Sequence, residues 1–98
     1  PLLGGGGTRL KILEAMALGT PVVATSKGAE GLDARRGEHL LIADSAGDFA
    51  ESTVRLLKEA GLRQQIAANS QKMVREKYDW AGIMPAFLRL LAEISNNN

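Results

Sequence analysis

The sequence predicts an α/β fold of few parallel strands with flanking helices, incomplete because it is short of strands. Two runs carry this reading. Pro21-Val22-Val23-Ala24-Thr25 and His39-Leu40-Leu41-Ile42-Ala43 are short, apolar and without alternation, which suits strands covered on both faces. About a dozen residues separate them, enough for a crossover between parallel neighbours. Helical periodicity fills most of the remainder. Two strands make a poor sheet alone. The chain therefore reads either as part of a larger doubly wound sheet or as a module completed by a second copy.

The N-terminal stretch predicts a glycine loop, Gly4 to Gly7, then a helix from about Arg9 to Leu18 with Thr8 as its N-cap. Gly19 suits the C′ position and Pro21 follows shortly after. Leu10, Leu13 and Ala17 form a stripe, with Ile12 and Met16 beside it. A helix this apolar is expected to be buried on more than one side. Ser26 to Gly37 reads as loop, with one helical turn around Glu30 to Ala34. After the second strand, Asp44 or Ser45 opens a helix, and Ser45 with Asp48 resembles a capping box. Phe49, Thr53, Leu56, Leu57 and Ala60 share one face of it, and Gly61 breaks the pattern. Leu62, Ile66, Ser70, Met73 and Val74 mark a further helix that Tyr78 closes. Asp79 can cap a last helix carrying Trp80, Ile83, Met84, Phe87, Leu88, Leu91 and Ile94 at helical spacing. Pro85 predicts a kink there. Asn96 to Asn98 reads as a disordered tail.

Composition excludes several functions. The 98 residues make at most one domain. Twelve basic and 11 acidic residues leave a net charge of +1, without the clustered excess that a nucleic-acid footprint needs. Cysteine is absent, which removes disulfides and thiolate metal sites. No apolar run approaches the roughly 20 residues of a membrane span.

The glycine run followed by a helix start can present backbone N–H groups to an anion. Arg9 and Lys11 stand nearby. No Gly-Lys-Ser/Thr follows, so it is not a P-loop, and Leu10 occupies the third glycine position of a dinucleotide fingerprint. A flexible surface loop explains the run equally well. Glu14 can accept hydrogen bonds from a ribose diol, or form a solvated i, i+3 pair with Lys11. Lys27 and Glu30 either line a crevice at the strand ends or carry ordinary loop charge. His39, the single histidine, is expected to be structural, and Arg35-Arg36 a solvated turn. The Trp80 to Ile94 stripe is core, or it docks on another domain.

The stretch Gly5 to Thr25, with its Leu-Glu-Ala-Met-Ala-x-Gly-x-Pro-Val-Val centre, resembles the C-terminal donor-binding motif of retaining GT-B glycosyltransferases of the group 1, or family 4, type. Lys27-Gly28-Ala29-Glu30-Gly31-Leu32 and Tyr78-Asp79-Trp80 are similar to that family as well. The resemblance covers essentially residues 1–98. It implies an incomplete Rossmann-like domain, the C-terminal part of the donor domain, with the N-terminal acceptor domain outside these residues. The family motif has two glutamates separated by seven residues; Glu14 matches the second, and Gly6 stands where the first belongs. By the resemblance, Gly5, Gly6, Gly7, Thr8, Arg9 and Leu10 meet the diphosphate of a nucleotide sugar and Glu14 meets its ribose. No catalytic residue, metal or cofactor is implied for this stretch. The parent enzyme is expected to transfer a sugar with retention, in polysaccharide biosynthesis. Its expected place is the cytoplasm or the inner face of the membrane. The 98 residues alone are expected to be inactive. The alternative is a non-catalytic module that dimerises through its unfilled sheet edge or its last helix.

Overall fold

The computed structural model describes residues 5–78, 83, 88–89 and 91–95. Its order is α1 (Gly5–Ala17), β1 (Val23–Ala24), β2 (Leu41–Ile42), α2 (Ala46–Lys58) and α3 (Ala60–Lys77). Residues 83, 88–89 and 91–95 are also helical. The expectations placed on Asp79, Trp80, Met84, Pro85, Phe87 and the asparagine tail lie outside the described residues.

The two strands pair in parallel, with Val23 opposite Leu41 and Ala24 opposite Ile42. Both are shorter than their apolar runs. His39 falls in a turn ahead of β2 rather than on the strand. Its Nδ1 accepts the Arg35 N–H at 2.9 Å, which ties it to the turn. The helical turn of the connection lies earlier than expected. Ala29 N–H donates to Thr25 O and Leu32 N–H to Ala29 O.

Alternation along the strands builds two apolar layers. On one face, Ile12, Leu13 and Met16 of α1 join Leu40, Met73, Val74 and Ile83, with Val22, Ala24 and Ile42 against them. On the other, Leu41 packs with Leu56 of α2 and Ile66 of α3, and Val23 borders them. Helix α3 serves both layers. It passes from one to the other near Asn69, whose Nδ2 donates to Glu38 O just ahead of β2.

Helix α1 ends as expected. Gly19 takes φ +75°, its N–H donates to Met16 O, and the Thr20 N–H donates to Ala15 O. This is a Schellman arrangement, and only glycine adopts that φ without strain. The start of α1 differs from expectation. Gly5 to Gly7 are helical, and Thr8 lies inside the helix instead of capping it. Each glycine costs a helix about 1 kcal/mol against alanine, but a glycine run permits the extension sterically. With the helix running through Gly5 to Gly7, Thr8 lies in its second turn, with its Cγ2 close to Gly28: a methyl placed there would lie 3.2 Å from it.

Three further expectations shift. Leu10 of α1 and Leu18 just past its end are exposed, so the helix buries one face only, because no described element covers the other. On α2, Leu56 is buried while Leu57 is 73% exposed. The break between α2 and α3 falls at Glu59, not Gly61. Arg63 explains it, since its Nη1 donates to the Leu56 and Leu57 carbonyls that end α2. At the other end of α2, Ser45 caps as expected, with Asp48 N–H donating to its Oγ at 3.0 Å.

Candidate functional site

A cavity of about 460 Å³ lies between α1, β1 and the start of α2. Thr8, Lys11, Ile12 and Ala15 of α1 line one wall, Val22 to Thr25 another, and Phe49 closes it from α2. Arg9, Lys27, Gly28 and Glu30 also border it. Arg9 Nη1 donates to Glu30 O at 3.2 Å, so the guanidinium ties the 25–32 turn to the first turns of α1. Gly28 N–H donates to Thr25 Oγ1 at 2.9 Å. Thr8 Oγ1 is buried beside this turn without a hydrogen-bond partner.

Among the residues singled out from the sequence, Thr8, Arg9, Lys11, Lys27 and Glu30 are thus brought together. Glu14 is not among them. It is half-buried in α1, outside the lining of the cavity. The i, i+3 partnership with Lys11 does not form. Among the described residues, the ion pairs are His39 with Glu38 and Arg55 with Glu59. Glu14 therefore carries an uncommitted carboxylate on the helix that begins with the glycine run.

At the carboxyl ends of the strands, Ser26 N–H donates to Asp44 Oδ1 at 2.8 Å and its hydroxyl donates to Oδ2. The Ser26 hydroxyl, above all, holds the Asp44 carboxyl below its ordinary value; the Ser26 N–H and the nearby Arg36 charge add to this. Ser26 did not stand out in the sequence, and Asp44 did so only as a possible helix cap. A signal was available, because strand register places Val23 opposite Leu41 and the same offset carries Ser26 to Asp44.

The second cavity, about 300 Å³, is polar and lies at the opposite end of β2, around His39, Glu38, Asn69 and Lys72. His39 Nε2 faces Glu38 at 3.3 Å, so both ring nitrogens are engaged, as a structural histidine requires.

The family model for the group 1 glycosyl transferases matches residues 1–59, which include α1, both strands and all of α2. The chain belongs to that family. Among curated proteins, this glycosyl transferase chain is 33% identical over 99 residues to a phosphatidyl-myo-inositol mannosyltransferase of Mycobacterium leprae, covering 99% of the chain and 26% of that relative. It is 38% identical over 79 residues to an uncharacterized 44.6 kDa protein in the cps region of Klebsiella pneumoniae, covering 81% of the chain and 20% of the relative. The chain thus spans about a fifth to a quarter of the length of these relatives. No solved structure matches it significantly.

Proposed function

We propose that residues 1–98 form the C-terminal part of the nucleotide-sugar domain of a glycosyltransferase that transfers the sugar with retention. The observation that carries this reading is the uncommitted, half-buried Glu14 on the family-matched helix α1. Backbone N–H groups in the first turn of a helix lack intrahelical partners and carry partial positive charge. In this reading those of Gly5 to Gly7 meet the donor diphosphate, next to Thr8, Arg9 and Leu10, with Arg9 and Lys11 adding charge. Glu14 accepts from the ribose hydroxyls. Thr8 to Glu14 rises about 9 Å along the helix, a span of the order of a nucleoside diphosphate. Gly6 brings no carboxylate to the donor sugar, so contacts to that sugar come from elsewhere.

The reading assigns no metal to the site and takes the nucleotide sugar as substrate. It places the N-terminal acceptor domain and the catalytic groups outside these residues, so the 98-residue chain alone transfers no sugar. It places the parent enzyme in the cytoplasm or on the inner face of the membrane, in polysaccharide biosynthesis. Titration with UDP and GDP, followed by backbone amide shifts, tests the site. The expected result is movement of Gly5 to Leu10 and Glu14. Silence there at millimolar nucleotide rejects the reading.

A second reading is a non-catalytic module that dimerises through the open sheet edge or its last helical residues. Leu88, Leu91 and Ile94, all exposed, favour it. A monomer mass by sedimentation across the micromolar range rejects it.

A further inference from the structure

The polar cavity at the amino-terminal end of β2 is built on a turn with little freedom. Gly37 takes φ +82°, and its N–H donates to Leu40 O at 2.7 Å. The Glu38 and His39 N–H groups both donate to Arg35 O. His39 Nδ1 accepts the Arg35 N–H in return, and Asn69 Nδ2 of α3 donates to Glu38 O. Asn69, Lys72, Glu76 and Lys77 form the facing wall. Spacings of three and four residues from Asn69 to Lys72 to Glu76 keep them on one side of α3. The volume of about 300 Å³ is at the small end of ligand cavities.

The charges of this cavity are unevenly committed. The Glu38 carboxylate faces His39 Nε2 at 3.3 Å. Arg35, Lys72 and Lys77 line the cavity as well, and none of them has an ion-pair partner among the described residues. Complementing the helix dipole explains Lys77, in the last turn of α3. It does not explain Lys72, more than a turn before that end, or Arg35, which is not on the helix. We propose that the cavity binds the phosphate group of a phosphate monoester, held by Arg35, Lys72 and Lys77. A monoester presents three terminal oxygens to three cations that arrive from two elements, whereas a carboxylate presents two. A guanidinium fork and ammonium groups are the usual donors to such oxygens. Asn69 has one amide hydrogen engaged on Glu38 O; its amide oxygen and the Glu76 carboxylate can accept from hydroxyls of the alcohol portion. The three cations are exposed, so binding is weak and falls with added salt. The site shares no residue with the stretch assigned to the donor nucleotide, and the inference is independent of that reading.

Glycerol 3-phosphate titrated into the 98-residue chain at low ionic strength tests the site by amide NMR. Saturable shifts are expected at Gly37, Glu38, His39 and across Lys72 to Lys77, with a millimolar Kd. Lys72→Gln and Arg35→Gln should each weaken binding roughly fivefold, and Lys58→Gln, a cation on α2, should not. Lys77→Gln takes the place of Arg35→Gln should the latter disturb the turn. Phosphatidylcholine vesicles with phosphatidic acid, whose headgroup is also a monoester, decide the source. Binding of the soluble ester without vesicle binding supports the proposal with a soluble ligand. Sedimentation with these vesicles that Lys72→Gln abolishes supports it with a lipid headgroup. Shifts reproduced by sodium chloride at equal ionic strength, or unchanged in Lys72→Gln, overturn it. Silence at about 10 mM ester overturns it too. Shifts confined to Gly5 to Glu14 overturn it while leaving the donor-site reading standing.

Discussion

Ser26 and Asp44 clasp the carboxyl ends of the two parallel strands, the Ser26 N–H meeting Asp44 Oδ1 at 2.8 Å while its hydroxyl meets Oδ2. The clasp extends the strand register by two residues beyond the last ladder pair, Ala24 with Ile42. It also anchors the turn that borders the cleft through Lys27 and Gly28. Because the hydrogen bonds favour the carboxylate, the Asp44 pKa lies lower in the folded chain than in the unfolded one. Its contribution is therefore fully present above the unfolded value, near pH ~4, and is lost as pH falls through the lower folded value. The melting temperature should drop across that acid window, and Asp44→Asn should flatten this part of the drop. Equal acid slopes in both proteins would show that the clasp does not contribute.

Two glycines should respond in opposite directions to alanine. Gly19 has φ +75°, and a methyl there would sit 2.9 Å from Gln71 Nε2. The Gln71 side chain can yield, but the backbone angle cannot, so Gly19→Ala should cost about 1–2 kcal/mol. Gly61 lies in the first turn of α3 with nothing within 4 Å of such a methyl. Gly61→Ala should stabilise by about 0.5 kcal/mol. Urea midpoints of the two variants decide both signs.

Met16 is fully buried at the centre of the α1 layer, against Val74 and Leu40. Met16→Ala should cost about 2–5 kcal/mol by urea unfolding. Met16→Leu, close in volume, should cost less than about 1.5 kcal/mol. A loss below 1 kcal/mol for the alanine variant would mean that α1 does not pack as described.

The donor-site reading makes Glu14 a charged acceptor without an ion pair among the described residues. Glu14→Gln should weaken UDP or GDP binding by roughly 10-fold or more, the scale of a lost charge-assisted hydrogen bond. The urea midpoint should hardly move, since no ion pair or side-chain hydrogen bond among the described residues is broken. Unaltered nucleotide affinity would remove Glu14 from the site.

Much of the architecture was legible in the sequence because it is local. The Gly19 stop, the Ser45 cap and the Tyr78 end of α3 each rest on residues within one helical turn. Parallel pairing was legible because unalternating apolar runs need two covered faces. The start of α1 was not. Thr8 satisfies every local condition for an N-cap, but the helix runs on through Gly5 to Gly7, and the Thr8 hydroxyl is buried without a partner. Nor was the α2–α3 break, because Gly61 is locally the better breaker while Arg63 reaches back to hold the chain open at Glu59.

The sequence by itself determined the element types, their order, and the family motif around Glu14, since these depend on residue spacing along the chain. Only the tertiary structure decided which sites face one another. It separated Glu14 from the larger cavity and joined Ser26 to Asp44. Those outcomes follow from how α1 and α2 pack on opposite faces of β1, and contacts across faces leave no local pattern to read.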